Sequence, residues 1–216
     1  MPWAAWVNIV ASVAAFVLYE MYIRWIGAAA PMKIAHSAHA AIRASWVKSV
    51  MERPGMEILV VQTLRNSVMA ASFMASTSIL ALSGTVTLSS VGNPDSKLWQ
   101  SLSAGSAEHL LFALKLLLLA ASFFVSFLFM AMSVRFFNHT AYLITTTVDP
   151  AELADKQALA IGYLNRAGNY YSMGLRAFFA CVPFLAGLFS TYLMLPATLI
   201  LLFILYWFDR IPGNAF

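Results

Sequence analysis

Four long apolar runs set the pattern of this chain. The first runs from Ala4 to Ile26, with Trp3 and Trp6 at one end and Tyr19, Tyr22 and Trp25 at the other. Aromatic rings take these places at the two water–lipid boundaries of a membrane span. The second carries no charge between Asn66 and Pro94. Its helix is expected to begin after Pro54-Gly55, so that its first turns lie outside the membrane and Arg65 stands at the boundary. The third, Leu116 to Val134, makes about 28 Å of helix, one hydrocarbon thickness; Lys115 and Arg135 bracket it. The fourth, Ala177 to Phe208, exceeds one perpendicular crossing. Cut in two it would leave pieces too short to cross, so it reads as one tilted span kinked at Pro183 and Pro196. The pattern predicts an all-α, polytopic membrane helix bundle, a single integral membrane domain over 1–216 with about four transmembrane helices at about 4–26, 66–91, 112–134 and 177–208.

Two connections should be helical as well. After Pro31, the residues Ile34, Ala38, Ile42, Trp46 and Val50 recur every four positions beside Lys33, Arg43 and Lys48. This predicts an amphipathic helix lying near anionic headgroups. Asp149-Pro150-Ala151-Glu152 has the order of a capping box, with proline at the first helical position. Leu153, Ala160, Ile161 and Leu164 follow on one side, and Gly168 is the expected stop. Lys and Arg are unevenly placed. Arg24, Lys33, Arg43, Lys48, Arg53 and Arg65 fall between the first two runs, and Arg135, Lys156, Arg166 and Arg176 between the last two. The connection between runs two and three has Lys97, with Lys115 at its edge. The excess of basic residues makes the first and third connections cytoplasmic and both termini non-cytoplasmic, in the cell's inner (plasma) membrane.

Composition agrees. Hydrophobic residues make up 61% of the chain and charged residues 10%, against roughly 25% charged in soluble domains. The formal charge of +4 matters by its placement more than by its size. A lone cysteine, Cys181, excludes an intramolecular disulfide and any multi-cysteine metal site. No basic segment precedes the first apolar run, which is therefore expected to be retained as a helix.

The second run is the richest in candidate chemistry. At helical spacing Arg65, Ser72, Ser76, Ser83, Thr87 and Ser90 fall on one face. A hydroxyl stripe beginning at a cation suits a narrow path for anions or polar solutes. It equally suits close helix packing, which Ser67, Ala71 and Ala75 support from the neighbouring row. His36 and His39 lack the further ligands that a metal needs, and no histidine lies mid-span to hold a haem. Glu20 is the single acid near a membrane interior, with Arg24 one helical turn on. No nucleophile elbow, phosphate-cradling loop or zinc-protease motif occurs. No catalytic residue, metal, cofactor or nucleic-acid partner is expected, and an enzyme is the less favoured reading.

Several segments resemble domain-of-unknown-function family 599, a group of small membrane proteins. They are Arg43-Ala44-Ser45-Trp46-Val47, Gln62-Thr63-Leu64-Arg65-Asn66-Ser67, Arg135-Phe136-Phe137-Asn138-His139 and Tyr171-Ser172-Met173-Gly174-Leu175-Arg176. The resemblance implies a four-helix membrane domain and names no substrate. It also draws attention to Arg65, Asn66, Arg135, Asn138, His139 and Arg176, all at cytoplasmic ends of spans. Two readings stand: snorkelling side chains at the lipid boundary, or one converged polar cluster suited to carboxylate or phosphate oxygens. The expected function is that of a non-catalytic structural or accessory component that binds membrane lipids and joins copies of itself or other membrane subunits. The alternative is a small channel or transporter along the Arg65 face.

Overall fold

The computed structural model describes residues 2–29, 35–90, 107–146 and 149–210. Among the described residues seven α-helices carry the fold: α1 (Pro2–Ala29), α2 (Ala35–Met51), α3 (Glu57–Ser90), α4 (Ala107–Thr145), α5 (Leu153–Phe179), α6 (Cys181–Phe189) and α7 (Thr191–Asp209). Among the described residues there is no β-strand. Among the described residues five stretches are long and apolar enough to cross a membrane: α1, α3, α4, the α5–α6 pair and α7. The chain is thus a multi-pass membrane protein with five candidate spans, one more than the sequence pattern counts.

The additional span comes from the last apolar run, which is not a single kinked helix. Pro183 cannot donate the hydrogen bond that would continue α5 past Phe179, and α5 ends at Ala180. Ser190 is then fully extended (φ −154°, ψ 131°), and the chain folds back. Arg176 meets Asp209 and Gly187 lies against Met194, so α5–α6 and α7 form an antiparallel hairpin. The division overlooked the uncharged residues between Arg166 and Arg176. Arg176 is not the edge of the span but lies inside it, neutralised by two carboxylates. Beginning the span near Tyr170 leaves both arms long enough to cross.

α4 is the central helix, packed along α3 on one side and α5 on the other. Small and hydroxyl residues set its close contacts, as expected where lipid removes the hydrophobic drive for association. Ser126 and Ser133 are fully buried and donate to the carbonyls of Gly174 and Ala167 on α5, each at 2.9 Å. Ser126 also meets Ser78 on α3 at 3.0 Å. On α3 the seam consists of Leu64, Ala71, Ser78 and Thr85, all buried. α1 packs mainly on α7. Tyr19 bonds Asp209, and Ile9 shares a core with Met194, so the two helices run parallel. The start of α1 and the end of α7 therefore lie at opposite ends of the bundle. Placing both termini on one side assumed an even number of spans.

α3 and α4 have 34 and 39 residues, about 51 and 58 Å at 1.5 Å per residue, well beyond the hydrocarbon thickness. The excess projects at one end. There α2, the start of α3, the end of α4 and the start of α5 enclose a second core of Val47, Val50, Val60, Leu64, Phe137, Ala160, Leu164 and Ala167. Outside lipid each such buried Val or Leu contributes about 1.5–3 kcal/mol. α2 packs against α5. Gly55 supplies the left-handed turn (φ +84°) between α2 and α3. Asp149 precedes a 3₁₀ turn, Pro150–Glu152, closed by the Glu152 amide on the Asp149 carbonyl; the side chain makes no cap bond. α5 runs through Gly168 without a break. The opening role of Pro31, the Ile34 and Lys33 positions, and the Arg24, His36 and Ser90 side chains lie outside the described residues.

Candidate functional site

A polar clasp ties three helices together where α7 ends. Arg176 of α5 sends Nη1 to Glu20 Oε1 of α1 at 2.9 Å and Nη2 to Asp209 Oδ1 of α7 at 2.6 Å. The Tyr19 hydroxyl donates to the other Asp209 oxygen at 2.6 Å. All three charged side chains are mostly shielded, 13–22% exposed. α5 offers Arg176 one turn from its apolar end, and α1 places Tyr19 and Glu20 side by side at the aromatic boundary. α7 ends on its only acid. One guanidinium between two carboxylates leaves a net charge of −1. Its planar fork suits two carboxylates at once. Asp209 uses both oxygens and is the more fully engaged of the two acids. The arrangement offers no nucleophile and no paired acid and base; it holds helices in register.

The six residues singled out from the sequence do not form one cluster. Arg65, Asn66, Arg135, Asn138 and His139 are all exposed. With Ser78 opposite Ser126, equal steps along the antiparallel helices bring Arg65 level with His139. These five therefore stand in one layer on the outside of α3 and α4. Arg176 lies about four turns deeper, in the clasp. The carboxylates that draw it there come from α1 and α7, remote in sequence. The hydroxyl stripe also points outward: Arg65, Ser76, Ser83 and Thr87 are exposed and Ser72 is half-buried. Ser83 and Thr87 bond carbonyls of their own helix. A path lined by this face would run between copies, not inside one chain.

Two sites escaped the sequence reading. Lys115 is buried, and its Nζ donates to Thr191 at the α6–α7 reversal, 2.5 Å away, instead of snorkelling outward. Arg43 lies flat on α5: Nε donates to Asn165 Oδ1 at 2.9 Å. A Cβ on Gly168 would come within 2.7 Å of its guanidinium, so glycine there admits the side chain. Burial lowers the Arg43 pKa from its ordinary value. The available signal was Gly168 itself, since glycine inside a helix costs about 1 kcal/mol and marks a close approach.

The profile of a family described as "Protein of unknown function, DUF599" matches residues 7–212, nearly the whole chain. No curated protein and no solved structure matches.

Proposed function

Since the chain belongs to the family of proteins of unknown function DUF599, and membership brings no activity with it, we propose a role from its surface. It is a non-catalytic component of the cell's inner membrane that assembles with copies of itself through the outward face of α3. The observation that carries this reading is a difference between outward faces. α1 presents Trp3, Val7, Val10, Val17 and Leu18, and α7 presents Leu199, Ile200, Phe203, Trp207 and Phe208, all bulky and apolar as lipid-facing helices are. α3 instead alternates Phe73, Leu80 and Leu88 with Ser76, Ser83, Gly84 and Thr87, all exposed. Knobs beside small residues let a second helix approach closely, and helix association in lipid rests on such packing.

Crosslinking in intact membranes tests this. In a Cys181→Ser background, Ser76→Cys and Ser83→Cys on α3 are expected to give oxidised dimers, and Ile200→Cys on α7 none. Dimers formed equally from both helices, or from neither, would remove the α3 interface.

Sidedness follows from the basic residues. Arg43, Lys48, Arg53, Arg65, Arg135, Lys156 and Arg166 all stand at the end where α2 lies, which favours the cytoplasm for that end. The start of α1 is then outside and the end of α7 inside. In the same background Trp3→Cys should react with an impermeant maleimide on whole cells, and Arg210→Cys only after permeabilisation. The reverse labelling would invert the orientation.

A further inference from the structure

We propose that the outward face of α4, at the end of the bundle where α2 lies, binds the phosphate of an anionic phospholipid through Arg135, Asn138 and His139. Residues three and four positions apart share one helix face, and all three side chains are exposed. Together they offer a guanidinium fork, an amide NH2 and an imidazole N–H, donors that suit phosphate oxygens. Among the described residues Arg135 has no ion-pair or hydrogen-bond partner. Between Leu110 and Thr145 the helix carries no acid. Arg65, level with His139 on α3, is exposed and equally without a partner among the described residues. The nearest acid along that helix, Glu57, lies about 12 Å further from the membrane. The layer therefore keeps an uncompensated positive charge.

Depth, and the residues beneath, select a lipid over a soluble phosphate compound. Arg135 and Lys115 close the two ends of the apolar run of α4, about 30 Å of helix apart, one hydrocarbon thickness. The guanidinium therefore stands at headgroup depth. Toward the membrane interior Ala131, Leu128 and Phe124 continue the same face turn by turn, and all are exposed. Leu128 and Phe124 are 44% and 48% exposed, so an acyl chain has an apolar surface directly below the donors. Phosphatidylcholine brings its own ammonium beside the phosphate and leaves the charge of the layer unbalanced. A headgroup of net negative charge, as in phosphatidylglycerol, balances it. The donors sit on α4, apart from the outward face of α3, so failure of this site leaves the assembly reading standing, and the reverse.

Native mass spectrometry of the full chain tests this, with palmitoyl-oleoyl phosphatidylglycerol or the phosphatidylcholine of the same chains added to the detergent. One phosphatidylglycerol per chain is expected to bind about tenfold more tightly than phosphatidylcholine, the scale of one charge-assisted hydrogen bond. Arg135→Gln should remove that preference. Arg53→Gln, which deletes the same charge at an exposed position in the turn between α2 and α3, should leave it. Excess glycerol phosphate, which has no chains, should not displace the lipid. Unfolding midpoints show that the variants keep the fold; should Arg135→Gln not fold, Asn138→Ala combined with His139→Ala takes its place, with a smaller loss expected. Equal affinity for the two lipids, or a preference untouched by Arg135→Gln, would overturn the assignment. So would a preference lost as fully in Arg53→Gln, which means diffuse charge, or displacement by glycerol phosphate, which means a soluble ligand.

Discussion

Arg176→Met should lower the unfolding midpoint of the solubilised protein by roughly 6–12 °C, about 3 kcal/mol for removing one partner of a shielded ion pair. The substitution keeps most of the side-chain volume, so little of the loss comes from packing. It leaves Glu20 and Asp209 facing each other across the vacated position with no cation between them. The remedy is equally specific. Adding Glu20→Gln and Asp209→Asn removes the repulsion and should recover most of the midpoint, although each change alone weakens the clasp. Of the two single changes, Asp209→Asn should cost more, because Asp209 also accepts from Tyr19. Thermal unfolding followed by circular dichroism would decide; a triple variant no better than Arg176→Met would mean that the clasp does not work by charge balance.

The same residue shows where sequence reading stops. Apolar length and aromatic ends located α1, which carries Glu20 and Arg24; charge-free length located α3 and α4, because hydrocarbon tolerates no unpaired charge and the boundaries fall at charged residues. That rule fails for Arg176, whose partners lie far away in the chain and cannot be seen in its neighbourhood. Treating it as a boundary cost the last run the uncharged residues that precede it and merged two spans into one. Direction on α3 was hidden for a different reason. Hydroxyl and small residues occur on both its faces, and in lipid a buried face need not be more apolar than an exposed one. Ser78, which packs on Ser126, and Ser76, which faces outward, are of one type and differ only in their neighbours. On α2 the apolar ladder is divided: Ala38 and Val50 are buried, Ile42 is exposed, and Val47, off the ladder, is fully buried. The stretch from Asp149 to Glu152 does start a helix, although by a backbone bond. Arg65, Asn66, Arg135, Asn138 and His139 share one level, yet sharing a level is not convergence, because all five are exposed.

Ser126→Leu should be as damaging as the loss of Arg176, whereas Ser126→Ala should be mild. Ser126 is fully buried where three helices meet: its hydroxyl contacts Ser78 of α3 at 3.0 Å and donates to the Gly174 carbonyl of α5 at 2.9 Å. Alanine removes these bonds but keeps the spacing, at a cost of about 1 kcal/mol, as interhelical hydrogen bonds in lipid are individually weak. Leucine loses the same bonds and must also find room for its branched end. On the α5 side no slack exists, because Met130 already occupies the space over Gly174, within 2.9 Å of where a Cβ would stand. Overpacking at such a point adds about 1–3 kcal/mol, and the strain is shared by α3 and α5, since α4 touches both. The ratio of the two effects is the informative quantity. If helix spacing governs this core, leucine should lower the unfolding midpoint several times more than alanine does. Equal losses would mean that the hydrogen bonds, not the closeness of the backbones, hold α3, α4 and α5 together.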